Sequence, residues 1–140
     1  MTRDHATTSP LYEADTSGIV VRVVPRFMFD ESDPHQAKYF WSYMVEIENK
    51  SEGAWTLTTR HWRIVDSQGR RQDVDGDGVI GQTPTLEPGD VFRYTSGAPL
   101  SAPSGMMGGS YDFVSKTGQE LSARIPTFSL DSPYDQAKPS

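Results

Sequence analysis

The sequence has 140 residues, with 19 acidic side chains against 13 basic ones and a formal net charge of −6 at pH 7. This balance argues against non-specific binding of nucleic acid or of an anionic membrane, because both favour a basic protein surface. Cysteine is absent, so the chain has neither disulfides nor thiolate metal ligands. The start of the chain has no apolar run, which predicts no secretory signal. We therefore expect a cytoplasmic location and no nucleic-acid or membrane partner.

The length suits one domain, and the composition favours strands joined by many turns. Tyr, Phe and Trp together supply the bulk of a core, while 12 Gly and 10 Pro are typical of frequent turns. Polar segments at 1–11 and 132–140 are predicted to be flexible. Residues 12–131 are predicted to form the single folded domain.

The first predicted strand covers residues 18–29. Ile19, Val21 and Val23 share one apolar face, whereas Arg22 points to the other. Pro25 lies inside this strand and cannot donate a ladder hydrogen bond. The strand is therefore expected at a sheet edge or with a bulge.

The second and third predicted strands cover residues 38–49 and 55–66. The second alternates clearly, with Tyr39, Trp41, Tyr43, Val45 and Ile47 on its buried face. In the third, the apolar residues change from odd to even positions along the chain. A bulge near residues 58–60 would return both sets to one face.

The rest of the chain continues as short strands and turns. A turn at 67–70 leads into a short strand at 71–74 and a loop at 75–84. Further strands are predicted at 91–97, 110–115 and 120–130, with a long connection at 99–109. About seven strands and no helical stripe predict an all-β, two-sheet antiparallel sandwich of the immunoglobulin or fibronectin type III class. A closed barrel is the alternative.

Gly76, Gly78 and Gly81 satisfy the pattern G-x-G-x-x-G. A dinucleotide site needs a helix after these glycines, and Pro84 and Pro88 leave no room for one. Two interpretations stay open. The loop amides could cradle a phosphate or pyrophosphate, which the neighbouring carboxylates oppose, or the glycines permit a tight turn, which we favour.

Asp73, Asp75 and Asp77 alternate in the same stretch, as in D-x-D-x-D-G calcium loops. The twelfth position of such a loop is a bidentate Glu, but here it is Pro84. We therefore predict at most weak binding of a divalent cation and no other cofactor. A solvated acidic turn is the preferred alternative.

No nucleophile–base pattern occurs in the sequence. His61 lies in a strand between Arg60 and Trp62, without a G-x-S-x-G or H-E-x-x-H motif. We interpret His61 as structural, hydrogen-bonded to a backbone group or a carboxylate, and predict that the protein is not an enzyme.

Phe40 and Met44 interrupt the polar face of the second strand. With Met106 and Met107 of the 99–109 connection, they could form an exposed apolar patch for a protein partner. The alternative is that a neighbouring loop covers them.

Several strings, read together, resemble the ApaG (CorD) family over about Tyr12 to Pro133. They include Tyr39-Phe-Trp-Ser-Tyr43, Arg60-His-Trp-Arg-Ile64, Gly76-Asp-Gly-Val-Ile-Gly81, Tyr94-Thr-Ser-Gly97 and Ile125-Pro-Thr-Phe-Ser-Leu130. The resemblance implies a fibronectin-type sandwich without established enzymatic activity. It also implies a link to divalent-cation (cobalt or magnesium) efflux and resistance in bacteria, and to protein-binding domains in eukaryotic F-box proteins. The three aspartates at 73, 75 and 77 depart from the family's pattern.

The leading hypothesis is a non-enzymatic module for protein–protein interaction, with homo-oligomerisation left open. The alternative is a small-ligand domain that uses the Gly/Asp-rich loop 73–81 for a divalent cation or pyrophosphate.

Overall fold

The computed structural model describes residues 11–135. The outer parts of both predicted flexible ends, 1–10 and 136–140, lie outside the described residues. The strands are β1 (Tyr12–Thr16), β2 (Ile19–Phe27), β3 (Tyr39–Asn49), β4 (Trp55–Asp66), β5 (Arg71–Asp77), β6 (Thr85–Leu86), β7 (Val91–Leu100), β8 (Gly105–Ser115) and β9 (Glu120–Leu130). Two 3-10 turns, Phe29–Glu31 and Pro34–Gln36, lie between β2 and β3. Over residues 11–135, no helix is long and apolar enough to cross a membrane.

The strands form two antiparallel sheets, which confirms the all-β sandwich. Sheet 1 has the order β1-β2-β3-β7, and sheet 2 has the order β5-β4-β8-β9 with β6 paired to β4. The described residues thus contain nine strands where about seven were predicted.

The predicted connection at 99–109 is wrong. β7 continues to Leu100 and β8 begins at Gly105, so a four-residue turn joins two long strands. β8 lies between β4 and β9 and pairs with both. Those two ladders hold the glycine-rich segment extended, although it has few side chains that favour a strand. β5 likewise extends three residues beyond the predicted strand at 71–74.

Of two local predictions, the bulge in β4 is confirmed, but the edge position or bulge expected for the strand with Pro25 is not, because β2 lies between β1 and β3 without a register shift. The register between β4 and β8 shifts between Leu57 and Thr59, which places the bulge at Thr58. The pairing of β2 with β1 ends at Val23, so Pro25 lies where β2 has no described neighbour on that edge. The missing N–H of the proline therefore removes no ladder hydrogen bond.

The core lies between the two sheets. Trp41, Tyr43 and Val45, from the predicted buried face of the second strand, are buried, and so are Trp62, Ile64 and Tyr111 of sheet 2. Trp62 contacts Tyr111 and Phe128 edge to face, with ring centroids 6.3 and 6.1 Å apart. The prediction for the 18–29 strand fails at its end, because Phe29 belongs to a 3-10 turn and is 62% exposed.

The two long sides of the sandwich differ. On one side β1 packs against β9, and hydroxyl groups of β1 accept hydrogen bonds from β9 amides. The Arg124 amide donates to Thr16 Oγ1 at 3.1 Å, and the Ser129 amide donates to Tyr12 Oη at 3.4 Å. On the other side β5 and β7 are terminal strands of their sheets. We call these the sealed side and the open side.

Candidate functional site

The open side contains a cleft of about 460 Å³ that enters the sandwich between β5 and β7. Apolar side chains from both sheets form its walls: Trp62, Ile64, Val74, Val79, Tyr94, Ala98 and Met107. Arg60, Gln72 and Ser96 contribute polar side chains to its lining. A smaller cavity of about 260 Å³ shares Ile64, Gln72 and Pro99 with the cleft and reaches Leu100. The concave surface therefore follows β7 along much of its length.

Two small residues of β7, Ala98 and Gly97, lie at the cleft and on the opposite face of the strand. Ala98 faces inward and is buried, so it occupies a core position with a side chain too short to fill it. Gly97 has no side chain, and the Phe40 ring packs directly against it from the outer face of sheet 1. A Cβ at Gly97 would lie only 2.2 Å from Phe40 Cζ. The ring shields the β7 backbone without entering the cleft.

Three tyrosine hydroxyl groups lie in and behind the cleft wall. Tyr94 and Tyr111 hydrogen-bond to each other through their hydroxyl oxygens. Burial raises the pKa of both phenols well above the ordinary value. Burial also raises the pKa of Tyr43, against a hydrogen bond from Ser96 that lowers it. All three are therefore neutral hydroxyls near pH 7.

Arg60 is half-buried beside these tyrosines. Its Nη1 donates to the backbone carbonyls of Asp77 at 3.0 Å and Gly78 at 2.8 Å. The guanidinium lies against Gly76, where a Cβ would be 2.7 Å from the guanidinium carbon. Within residues 11–135, Arg60 forms no ion pair with a carboxylate. Its charge lowers the pKa of all three tyrosines, against the effect of burial, which places it near their hydroxyls.

The glycine motif forms a structural turn. The Gly78 amide donates to the Thr58 carbonyl at 2.8 Å, while Val79 and Gln82 exchange backbone hydrogen bonds. These amides are therefore used within the protein and do not converge on a phosphate. Gly78 has φ +61 and Gly81 has φ +72, a region that glycine enters without strain. These contacts favour the tight turn, in which Gly76 makes room for Arg60.

The three aspartates do not converge on one point. Asp73, Asp75 and Asp77 lie in extended β5 and follow its exposed face rather than curling round a cation. Asp73 accepts two 3.1 Å hydrogen bonds from Arg71, whereas Asp75 faces His61. In the part of the chain that the structure describes, no group of three or more acidic or histidine side chains could hold a metal ion. The calcium-loop geometry suggested by the spacing is therefore absent.

His61 lies on the outer face of sheet 2 and bridges two carboxylates. Its Nδ1 lies 2.8 Å from Asp75 Oδ1 and its Nε2 lies 2.7 Å from Asp112 Oδ2, and in the imidazolium form each nitrogen donates to its carboxylate. The Thr59 hydroxyl donates to the same Asp112 oxygen at 2.6 Å. The carboxylate partner predicted for His61 is confirmed. In the imidazolium form both ring nitrogens carry a proton that a carboxylate accepts, so neither can act as a base toward Thr59.

The predicted apolar patch is not one surface. Phe40 and Met44 are half-buried on the outer face of sheet 1, whereas Met106 is 49% exposed on the outer face of sheet 2. Met107 is 2% exposed and belongs to the core, where it lines the inner end of the cleft. Its assignment to a partner surface is wrong, because alternation along β8 turns it inward.

Arg60, Ser96 and the tyrosine hydroxyls of the cleft were missed by sequence reasoning. The sequence contained one indication that Arg60 faces inward. After the bulge at Thr58, even positions of β4 face inward, so Arg60 shares the core-facing side with Trp62 and Ile64. An arginine at a core-facing position is unusual, because a buried charge requires a partner.

The chain matches the ApaG domain family over residues 29–115. It is 50% identical over 124 residues to Protein ApaG of Methylocella silvestris, covering 89% of this chain and 95% of that protein. It is 45% identical to Protein ApaG of Rhodospirillum centenum over 130 residues, which are 93% of this chain and all of that one. The crystal structure of the ApaA protein of Bordetella pertussis superposes with a TM-score of 0.79 at 38% identity, covering 91% of this chain and 99% of that one. On this evidence, and in agreement with the observed sandwich, the chain belongs to the ApaG family.

Proposed function

We propose that the protein is a non-enzymatic binding module that receives an extended segment of a cytoplasmic partner protein along β7. The observation that supports this proposal is the asymmetry of the sandwich. On the sealed side two β9 amides donate to β1 hydroxyl groups. On the open side β7 has no paired strand beyond it among residues 11–135, and this edge borders an apolar cleft. An unpaired edge presents backbone donors and acceptors that an added strand can satisfy.

The dimensions suit a peptide. β7 has ten residues, which extend over about 33 Å. A leucine- or phenylalanine-sized side chain moved from water into the cleft would contribute roughly 1.5–3 kcal/mol. Backbone pairing along β7 would fix the direction of the segment, and the cleft would select its side chain.

The proposed binding role requires no catalytic group. His61 of sheet 2 is paired with Asp75 and Asp112 and is therefore not positioned to activate a nucleophile. A part in divalent-cation resistance, as expected from the family resemblance, would then act through the bound partner.

The experiment compares two tryptophan substitutions on neighbouring β7 residues. Ser96 faces the cleft mouth and Thr95 faces the opposite surface of the strand, and both are exposed. Peptides of 12 residues would be selected on the parent protein from a random displayed library. We expect Ser96→Trp to weaken the selected peptides at least tenfold, and Thr95→Trp to change their affinity by less than threefold.

Melting curves of both variants serve as the folding control. Equal binding to Ser96→Trp and the parent, or failure to enrich any peptide, would refute the cleft as the binding site.

A further inference from the structure

We infer that the cleft recognises a carboxylate placed beside the apolar side chain of the bound segment, with Arg60 as its counter-ion. This inference rests on the proposed function and specifies the chemistry of the partner segment, which is an acidic one.

Arg60 contrasts with the other half-buried arginine of the described residues, Arg22. Arg22 donates to Glu13, Glu46 and Glu48 at 2.7–3.0 Å. Arg60 is similarly withdrawn from water, yet it faces backbone carbonyls and has no carboxylate. A partly desolvated charge without a counter-ion is costly, and a ligand carboxylate would remove that cost.

The cleft is complementary in charge to an acidic segment. Among residues 11–135, Arg60 is the one charged residue that lines it, although acidic side chains outnumber basic ones in the chain as a whole. The nearest carboxylates of β5, those of Asp75 and Asp77, belong to the exposed outer face of the strand. Nothing acidic in the described lining therefore competes for Arg60.

The donor geometry also suits a carboxylate. Nη1 already serves the two loop carbonyls, while Nε and Nη2 have no hydrogen-bond acceptor within residues 11–135. Guanidinium groups bind carboxylates through two parallel N–H donors. The neutral side chains of Ser96 and Tyr94 line the same cleft and add no competing charge.

The test uses a matched pair of small probes, N-acetyl-phenylalanine and N-acetyl-phenylalanine amide. They share one aromatic body, and only the first carries a carboxylate. Binding would be followed by amide chemical shifts in an NMR titration. We expect the acid to bind at least tenfold more tightly than the amide, with the largest shifts at Gly76–Gly81 and Tyr94–Ala98.

Arg60→Gln keeps an N–H donor for the loop carbonyls and removes the charge, so it should abolish the preference for the acid. Arg63→Gln removes an exposed arginine from the outer face of the same strand and should leave the preference intact. Inorganic phosphate is the second anion. Displacement of N-acetyl-phenylalanine by an equal concentration of phosphate would contradict selectivity for a carboxylate.

The inference is overturned if acid and amide bind the parent protein equally, or if neither binds at 50 mM. The acid–amide comparison needs no variant, so it stands even if Arg60→Gln fails to fold. If selected peptides still lose affinity on Ser96→Trp, the proposed function survives without the carboxylate. If Ser96→Trp leaves the affinity of the selected peptides unchanged, both the proposed function and the carboxylate inference fail.

Discussion

His61 illustrates which hydrogen-bond partners of a residue can be predicted from the sequence. The turn at 67–70 folds β5 back on β4 and brings Asp75 opposite His61, as the sequence order allows. Asp112 lies 51 residues further along the chain than His61 and reaches it only through the pairing of β4 with β8. The carboxylate as a class of partner was predictable, but the bridge between two carboxylates was not.

This bridge predicts a stability that depends on pH. Hydrogen bonds to Asp75 and Asp112 raise the pKa of the imidazolium above its ordinary value. A raised pKa in the folded state stabilises the protein fully below the unfolded pKa, about 6.5. That stabilisation is lost as pH rises through the folded value. The melting temperature of the parent, relative to His61→Gln, should therefore fall between pH 6 and pH 9.

Thermal melts across this range measure the difference. His35→Gln, which changes an exposed histidine in the Pro34–Gln36 turn, is the control and should follow the parent. Parallel curves for the parent and His61→Gln would show that the protonation of His61 does not contribute to stability in this range.

Among the elements, sheet 1 carries a row of alternating charges. Glu13, Arg22, Glu46 and Arg93 come from β1, β2, β3 and β7, and each is directly opposite the next in the register. Their ion pairs measure 2.7–2.9 Å. Opposite charges at facing positions stabilise one strand register over its neighbours.

The turn after β5 leads to a prediction about the glycines that it contains. A Cβ at Gly78 would lie 2.2 Å from the Gln82 carbonyl oxygen, whereas one at Gly81 would meet open space. Both residues have positive φ, so alanine costs about 1 kcal/mol at Gly81 from backbone strain alone. At Gly78 the added clash should bring the total to roughly 2–4 kcal/mol.

Urea denaturation of Gly78→Ala and Gly81→Ala measures both costs. Equal destabilisation would mean that the backbone angles, and not the close approach to Gln82, explain the requirement for glycine in this turn.

At the scale of the molecule, the sealed side depends on contacts between residues more than 100 positions apart. Thr16→Val removes the acceptor of the Arg124 amide and should cost about 0.5–1 kcal/mol. It should also speed hydrogen exchange at that amide. Thr95→Val, at a hydroxyl without a hydrogen bond among the described residues, is the control. Unchanged exchange at Arg124 would indicate that Thr16 does not seal this side.

The fold was predictable where side chains alternate in polarity. Tyr39 to Ile47 fixed both the strand and its inner face, and the change of parity between Leu57 and Trp62 located the bulge. The first half of β8, residues 105–109, was missed because its glycines carry no periodic signal, whereas its second half matches the strand predicted at 110–115. The cleft was missed because it depends on which strands end each sheet, and that order arises from pairings distant in sequence.

The sealed side also has a consequence for synthesis of the chain on the ribosome. β1 and β2 are made before the other strands of this domain, yet β9, which covers them, follows all of those strands in the chain. Until then the inner faces of Ile19, Val21 and Val23 lack one of their neighbours. Contacts between such distant segments close slowly, because the intervening chain must first lose much of its freedom. The nascent protein therefore cannot complete its core until nearly the whole domain has emerged.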